Sequence, residues 1–194
     1  MESIILQKQK ERFLASYPPP HNLKNPFDIA AEGAILSSIR RNPTYSKNIS
    51  KDRKNEFLSG WRKELAHYAE KYYNDSQSIE TYIRDVLEMK ARINAQFKEI
   101  LSNDISCGIR IAHCQKSLSV YLKYMWCQNI ATITPPACPI DRIVLTHCGI
   151  FDISWTRLDN EAVFRRTLDR IKHKAEQNVC CASVAEWELC LFNQ

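Results

Sequence analysis

The stretch QKSLSVYLKYMWCQNIATITPPACPIDRIVL, residues 115–145, decides how this chain is read. Ile111, Cys114, Leu118, Leu122 and Met125 recur at intervals of three and four residues. That is the period of an α-helix with one apolar stripe. Lys116, Ser119 and Lys123 fall on a different face, because steps of three, four and seven residues return to nearly one direction. Pro135, Pro136 and Pro139 forbid helix continuation. Asp141 then stands at the mouth of a second helix, IVLTHCG, with Gly149 as its stop. An aspartate at an N-cap accepts backbone N–H bonds, which favours its ionised form. A lysine facing such an aspartate has the geometry of an amine nucleophile beside a counter-charge. The amine must lose a proton to attack, and the carboxylate stabilises positive charge developing on the substrate. The plainer reading of the same residues is a solvated lysine and a simple helix cap.

Outward from this stretch the reading stays helical. Only four glycines occur in 194 residues, and alternating strand patterns are scarce. Residues 2–15 make a short amphipathic helix ended by SYPPP. Asn25 followed by Pro26 caps a second helix, FDIAAEGAILSSIRR. Residues 42–52 read as a polar, basic loop. Phe57, Trp61, Leu65 and Tyr68 place a long helix over about 53–73. Ile79, Ile83, Leu87, Ile93 and Phe97 place another over 78–100. The last two helices fall near 158–175 and 183–192. Short connections predict an all-α fold, as one compact multi-helix bundle or as two small helical lobes with a cleft between them. A single domain of 1–194 is expected: an N-terminal helix and Pro-rich connection (1–24), a core carrying the Lys/Asp pair (25–150), and C-terminal helices (151–194).

Composition sets wide bounds. Apolar residues are 44% and charged residues 25%, with a net charge of +5 and a sequence pI of 8.7. This mild basicity is compatible with nucleic acid without demanding it. There are eight cysteines but no CxxC. The adjacent pairs His113–Cys114 and His147–Cys148 would point about 100° apart on a helix. No metal and no cofactor are therefore expected, and Cys114, Cys127 and Cys190 read as small core residues. The opening MESIILQKQKERF has no long apolar run, and no stretch approaches the roughly 20 residues of a membrane helix. A cytoplasmic protein with free thiols and no membrane contact is the expectation.

Two further groups of residues suggest roles. Trp61 and Trp187 are candidates to stack on a base; the alternative is that they fill the core. Arg40, Arg41, Lys47 and Lys51, with Arg53 and Lys54 beside them, form a basic cluster that could track phosphates or simply face solvent.

In this order, these residues resemble the helix–hairpin–helix DNA glycosylase superfamily, and most of all its archaeal 8-oxoguanine DNA glycosylase branch. GWRKELAHYAEKY looks like that branch's tryptophan-bearing early helix. RDVLEMKARINAQFKEIL looks like its next basic helix, and QKSLSVYLKYMW with CPIDRIVL like its lysine helix and Pro-x-Asp helix start. The likeness spans roughly residues 27–150. The superfamily's usual Gly-rich hairpin before the lysine is missing; only Gly108 stands there. The resemblance implies Lys116 as nucleophile, Asp141 as catalytic carboxylate, and Trp61 and Trp187 as partners of a flipped base. It implies double-stranded DNA with a damaged base as partner, with Lys123 and Arg142 joining the loop cations near it. The expected activity is base excision of a damaged purine such as 8-oxoguanine, followed by β-elimination. The alternative is a non-catalytic helical module that binds nucleic acid or protein in a phage- or defence-linked setting. A helical ribonuclease using Arg110 and His113 is a further option, although their spacing is shorter than such motifs.

Overall fold

The computed structural model describes residues 4–16, 25–39, 44–102, 107–178 and 181–193. Among them are eight α-helices: α1 (Ile4–Ser16), α2 (Pro26–Ile39), α3 (Lys51–Ala69), α4 (Ile79–Phe97), α5 (Ile111–Cys127), α6 (Arg142–His147), α7 (Glu161–Glu176) and α8 (Val184–Phe192). The fold is all-α. Short 3₁₀ turns extend α3 (Glu70–Tyr72) and precede α7 (Trp155–Arg157). A two-residue antiparallel pair joins β1 (Thr44–Tyr45) to β2 (Leu101–Ser102), in segments whose sequence reads as loop. It ties the entry of α3 to the exit of α4.

The helix starts are set by side-chain caps. The side-chain oxygens of Ser50, Ser78, Asn160 and Ser183 accept the backbone N–H groups of Arg53, Thr81, Val163 and Glu186 at 3.0–3.1 Å. Each cap satisfies a donor that the helix itself leaves open.

The bundle is wound around α5. Every residue of α5 except Lys116 is buried. This corrects the amphipathic reading of that helix: it has no solvent face, and helices α1, α2, α3 and α4 pack around it. Helix α2 comes in through small residues, Ala30, Ala31, Gly33 and Ala34. A side-chain carbon at Gly33 would meet Tyr124 Oη at 2.8 Å, so glycine permits the approach.

Polar residues on α5 are tolerated because each has a partner. Trp61 Nε1 donates to Ser117 Oγ at 3.1 Å. Tyr82 Oη shares a 2.6 Å hydrogen bond with Ser119 Oγ and lies 3.0 Å from the Gln115 carbonyl. Lys123 Nζ lies 2.8 Å from both carboxylate oxygens of Glu188, on α8. Buried polar groups without such partners would each cost about 1–3 kcal/mol. The apolar side chains form one contiguous core that runs from Phe13 on α1 to Leu189 on α8.

Trp61 sits inside this core at 0% exposure, against Phe57. Trp61→Ala should destabilise the fold by about 3–5 kcal/mol, the range for truncating a buried aromatic. Urea unfolding monitored by circular dichroism reads this directly. A midpoint equal to that of the parent protein would place Trp61 outside the core.

Candidate active site at Lys116 and Asp141

Lys116 is the one residue of α5 that is not buried. Its side chain is 13% exposed, that of Asp141 is 22% exposed, and Lys116 Nζ lies 3.4 Å from Asp141 Oδ2. The two oxygens of Asp141 divide their work. Oδ1 caps α6, accepting the N–H groups of Ile143 at 2.9 Å and Val144 at 3.1 Å. Oδ2 turns toward the amine. The cap therefore fixes the carboxylate's orientation.

The loop that carries Asp141 is held by Gln115, the neighbour of Lys116 in sequence. Gln115 Nε2 donates to the Ile140 carbonyl at 2.9 Å, and Gln115 Oε1 accepts the Ile140 N–H at 2.9 Å. Both residues are fully buried. Pro139, immediately before Ile140, restricts the backbone on the N-terminal side, and the amide side chain holds both polar groups of Ile140 itself.

A third wall comes from the segment before α7. The Trp155 ring centroid lies 4.4 Å from Lys116 Nζ. Arg110 Nη1 donates to the Thr156 carbonyl at 2.7 Å, and Ala112 N–H donates to the Leu158 carbonyl at 2.8 Å. These bonds dock the Trp155 turn onto the start of α5.

Burial pushes the Lys116 amine below its ordinary 10.5; the charge and hydrogen bond of Asp141 pull it back up by less, and Lys123 adds a second downward push. The folded state therefore releases this proton before the unfolded chain does. Between the folded value and 10.5 the unfolded chain binds more protons, so this group adds stability as pH rises through that window. A more easily deprotonated amine is what nucleophilic chemistry needs. Glu188 is the buried counterpart: burial pushes its carboxyl up, against the charge and hydrogen bond of Lys123.

The remaining sequence-based expectations divide. Trp61 and Trp187, at 0% and 4% exposure, are core residues with no face open to a base. Their helical spacing marks the inward side of α3 and α8, and the core is what that side meets. Lys123 is also corrected: it is buried and paired with Glu188, so it cannot reach phosphate. Lys47, Lys51 and Arg142 are exposed. Arg53 is engaged by Glu56 at 2.9 Å and Glu99 at 2.7 Å. Arg40 and Arg41 lie outside the described residues. Arg110 and His113 serve the start of α5, where the Arg110 N–H donates to His113 Nδ1 at 2.9 Å. Among the described residues, no three His, Cys, Asp or Glu side chains gather in a way that could hold a metal ion. No helix of the described residues is long and apolar enough to cross a membrane.

Sequence reasoning missed Gln115, Trp155 and Glu188. The one available signal was at Trp155, a tryptophan outside any helical stripe and between the small polar residues Ser154 and Thr156. No protein-family model, curated protein or solved structure matches the chain.

Two outcomes follow from this geometry. Asp141→Asn keeps a capping side chain but removes the charge that holds the Lys116 proton, so the amine should titrate lower still. Carbon NMR titration of the Lys116 Cε reads this, and an unchanged or raised value would separate the two groups. Gln115→Met keeps the volume and removes both hydrogen bonds to Ile140. It should cost about 1–3 kcal/mol for each backbone group left unpaired. Denaturant unfolding checks it, and a neutral result would show that Ile140 finds other partners.

Proposed function

We propose that this protein is a DNA base-excision glycosylase with β-lyase activity on a damaged purine such as 8-oxoguanine. One observation carries the reading: a largely buried amine whose proton is loosened by burial stands 3.4 Å from a carboxylate fixed by its own helix cap. In the proposed reaction the damaged nucleotide leaves the stack and its sugar enters beside Lys116. Neutral Lys116 attacks C1′, the C–N bond to the enzyme forms, and the glycosidic bond breaks with the base as leaving group. Asp141, ionised, stabilises positive charge on the sugar as that bond lengthens. Loss of the amine proton and opening of the sugar ring give an iminium linkage, which acidifies C2′ and permits β-elimination of the 3′ phosphate. Trp155, whose ring packs on the amine, takes the aromatic role first assigned to Trp61 and Trp187. Exposed Lys47, Lys51 and Arg142 are available to phosphate.

Burial of Trp61 and Trp187 favours a second reading, a helical module that binds nucleic acid or protein without chemistry. Borohydride trapping separates the two. The parent protein should become covalently joined to duplex DNA carrying 8-oxoguanine or an abasic site, and Lys116→Gln should lose the adduct while still binding DNA. Asp141→Asn should stay folded and lose base release by orders of magnitude. No adduct with the parent protein would leave the non-catalytic module as the function, and equal trapping by Lys116→Gln would overturn Lys116 as the nucleophile.

A further inference from the structure

The C-terminal helix carries a feature that the Lys116 site does not use. Cys181 precedes α8 and Cys190 lies within it, and the Cys181 thiol points at Cys190 Sγ across 4.0 Å. Both side chains are partly exposed. Cys181 also lines a cavity of about 420 Å³ bounded by Ile79, Pro136, Ala137, Leu168 and Val184, which leaves room for a small solute beside this residue. The contrast with Cys114, Cys127 and Cys138 is clear: these are buried in the core, where burial pushes the Cys114 and Cys138 thiols up and away from the reactive thiolate.

We propose that Cys181 and Cys190 are a redox modification site, a thiol pair that a peroxide closes to a disulfide. The Cys181 thiolate attacks one oxygen of hydrogen peroxide, the O–O bond breaks, and hydroxide leaves. Cys181 is then a sulfenic acid, oxidised by two electrons, and the peroxide is reduced. The Cys190 thiol attacks the Cys181 sulfur, the S–O bond breaks, and the oxygen leaves as water. The sum is two thiols and one hydrogen peroxide giving one disulfide and two waters. The approach from 4.0 Å to a bond of about 2 Å is made by the chain ahead of α8, beyond the Ser183 cap. The closed ring spans the first turns of α8, the helix that brings Glu188 to Lys123.

The test uses the full chain. Reduced protein is treated with hydrogen peroxide, the remaining thiols are alkylated, and the products are digested without reductant. Trypsin leaves Cys180, Cys181 and Cys190 together, because no lysine or arginine follows Lys174. Cleavage after Glu186 and Glu188 then separates Cys181 from Cys190, so only a disulfide holds the two fragments together. The expected result is loss of two of the eight thiols, with these fragments linked and Cys180 alkylated. Cys181→Ser and Cys190→Ser should each abolish the link, and Cys180→Ser should keep it. The same treatment in urea should scramble the pairing. A Cys180–Cys190 product, a link only between molecules, or full alkylation after peroxide would overturn the assignment.

Discussion

The side chain of Gln115 is the constraint on which the Lys116 site depends. It meets both backbone polar groups of Ile140, and Ile140 immediately precedes Asp141. A loop after a proline run could leave α5 in many directions. The amide clamp selects one, and that one brings a capping carboxylate to an amine on the next residue of the same helix. The clamp works because it is dry: an exposed glutamine would exchange these bonds with water at little cost, whereas a buried one leaves two orphans when broken.

The same accounting explains how α5 can be buried on every side. Ser117, Ser119 and Lys123 would each weaken an interior helix if left alone. Trp61, Tyr82 and Glu188 satisfy them from three different helices. The Lys123–Glu188 pair is the most demanding of these. Removing one member of such a pair costs far more than never having built it, which binds α8 to α5 beyond what its apolar contacts require. Phe13 and Phe192 pack their rings 4.6 Å and 4.8 Å from the ammonium. The charge is thereby enclosed by aromatic faces as well as by its counter-ion.

Much of the fold was legible because helix signals are local. Spacing gave the helices and proline gave the break after α5, and Asp141 could be recognised as a cap from its place before an apolar run. Periodicity tells which side of a helix differs from the other, but not whether the helix has an outside. Ser119 and Lys123 therefore read as a solvent face, although they point at Tyr82 and Glu188. Their partners come from distant parts of the chain: Lys123 and Glu188 are 65 positions apart, and Ser117 and Trp61 are 56 apart. Nothing local records such pairings. The tryptophans were misjudged for the same reason, since an aromatic at helical spacing looks alike whether a base or a core awaits it. Lys116 and Asp141 were the exception: each is marked by its own neighbourhood, and only 25 positions separate them.

The pair is mounted on elements of unequal permanence. Lys116 belongs to the enclosed central helix, whose amides open only when much of the protein opens with them. Asp141 caps a helix of six residues, Arg142–His147, in which only Val144 and Leu145 are buried. Amide hydrogens there should exchange through local fraying, at a free energy well below that of global unfolding. The separation of amine and carboxylate is therefore governed by one turn of α6 and by the Gln115 amide, not by the stability of the bundle. Warming should therefore loosen the site before the fold melts, and anything that grips the outer face of α6 grips the carboxylate as well.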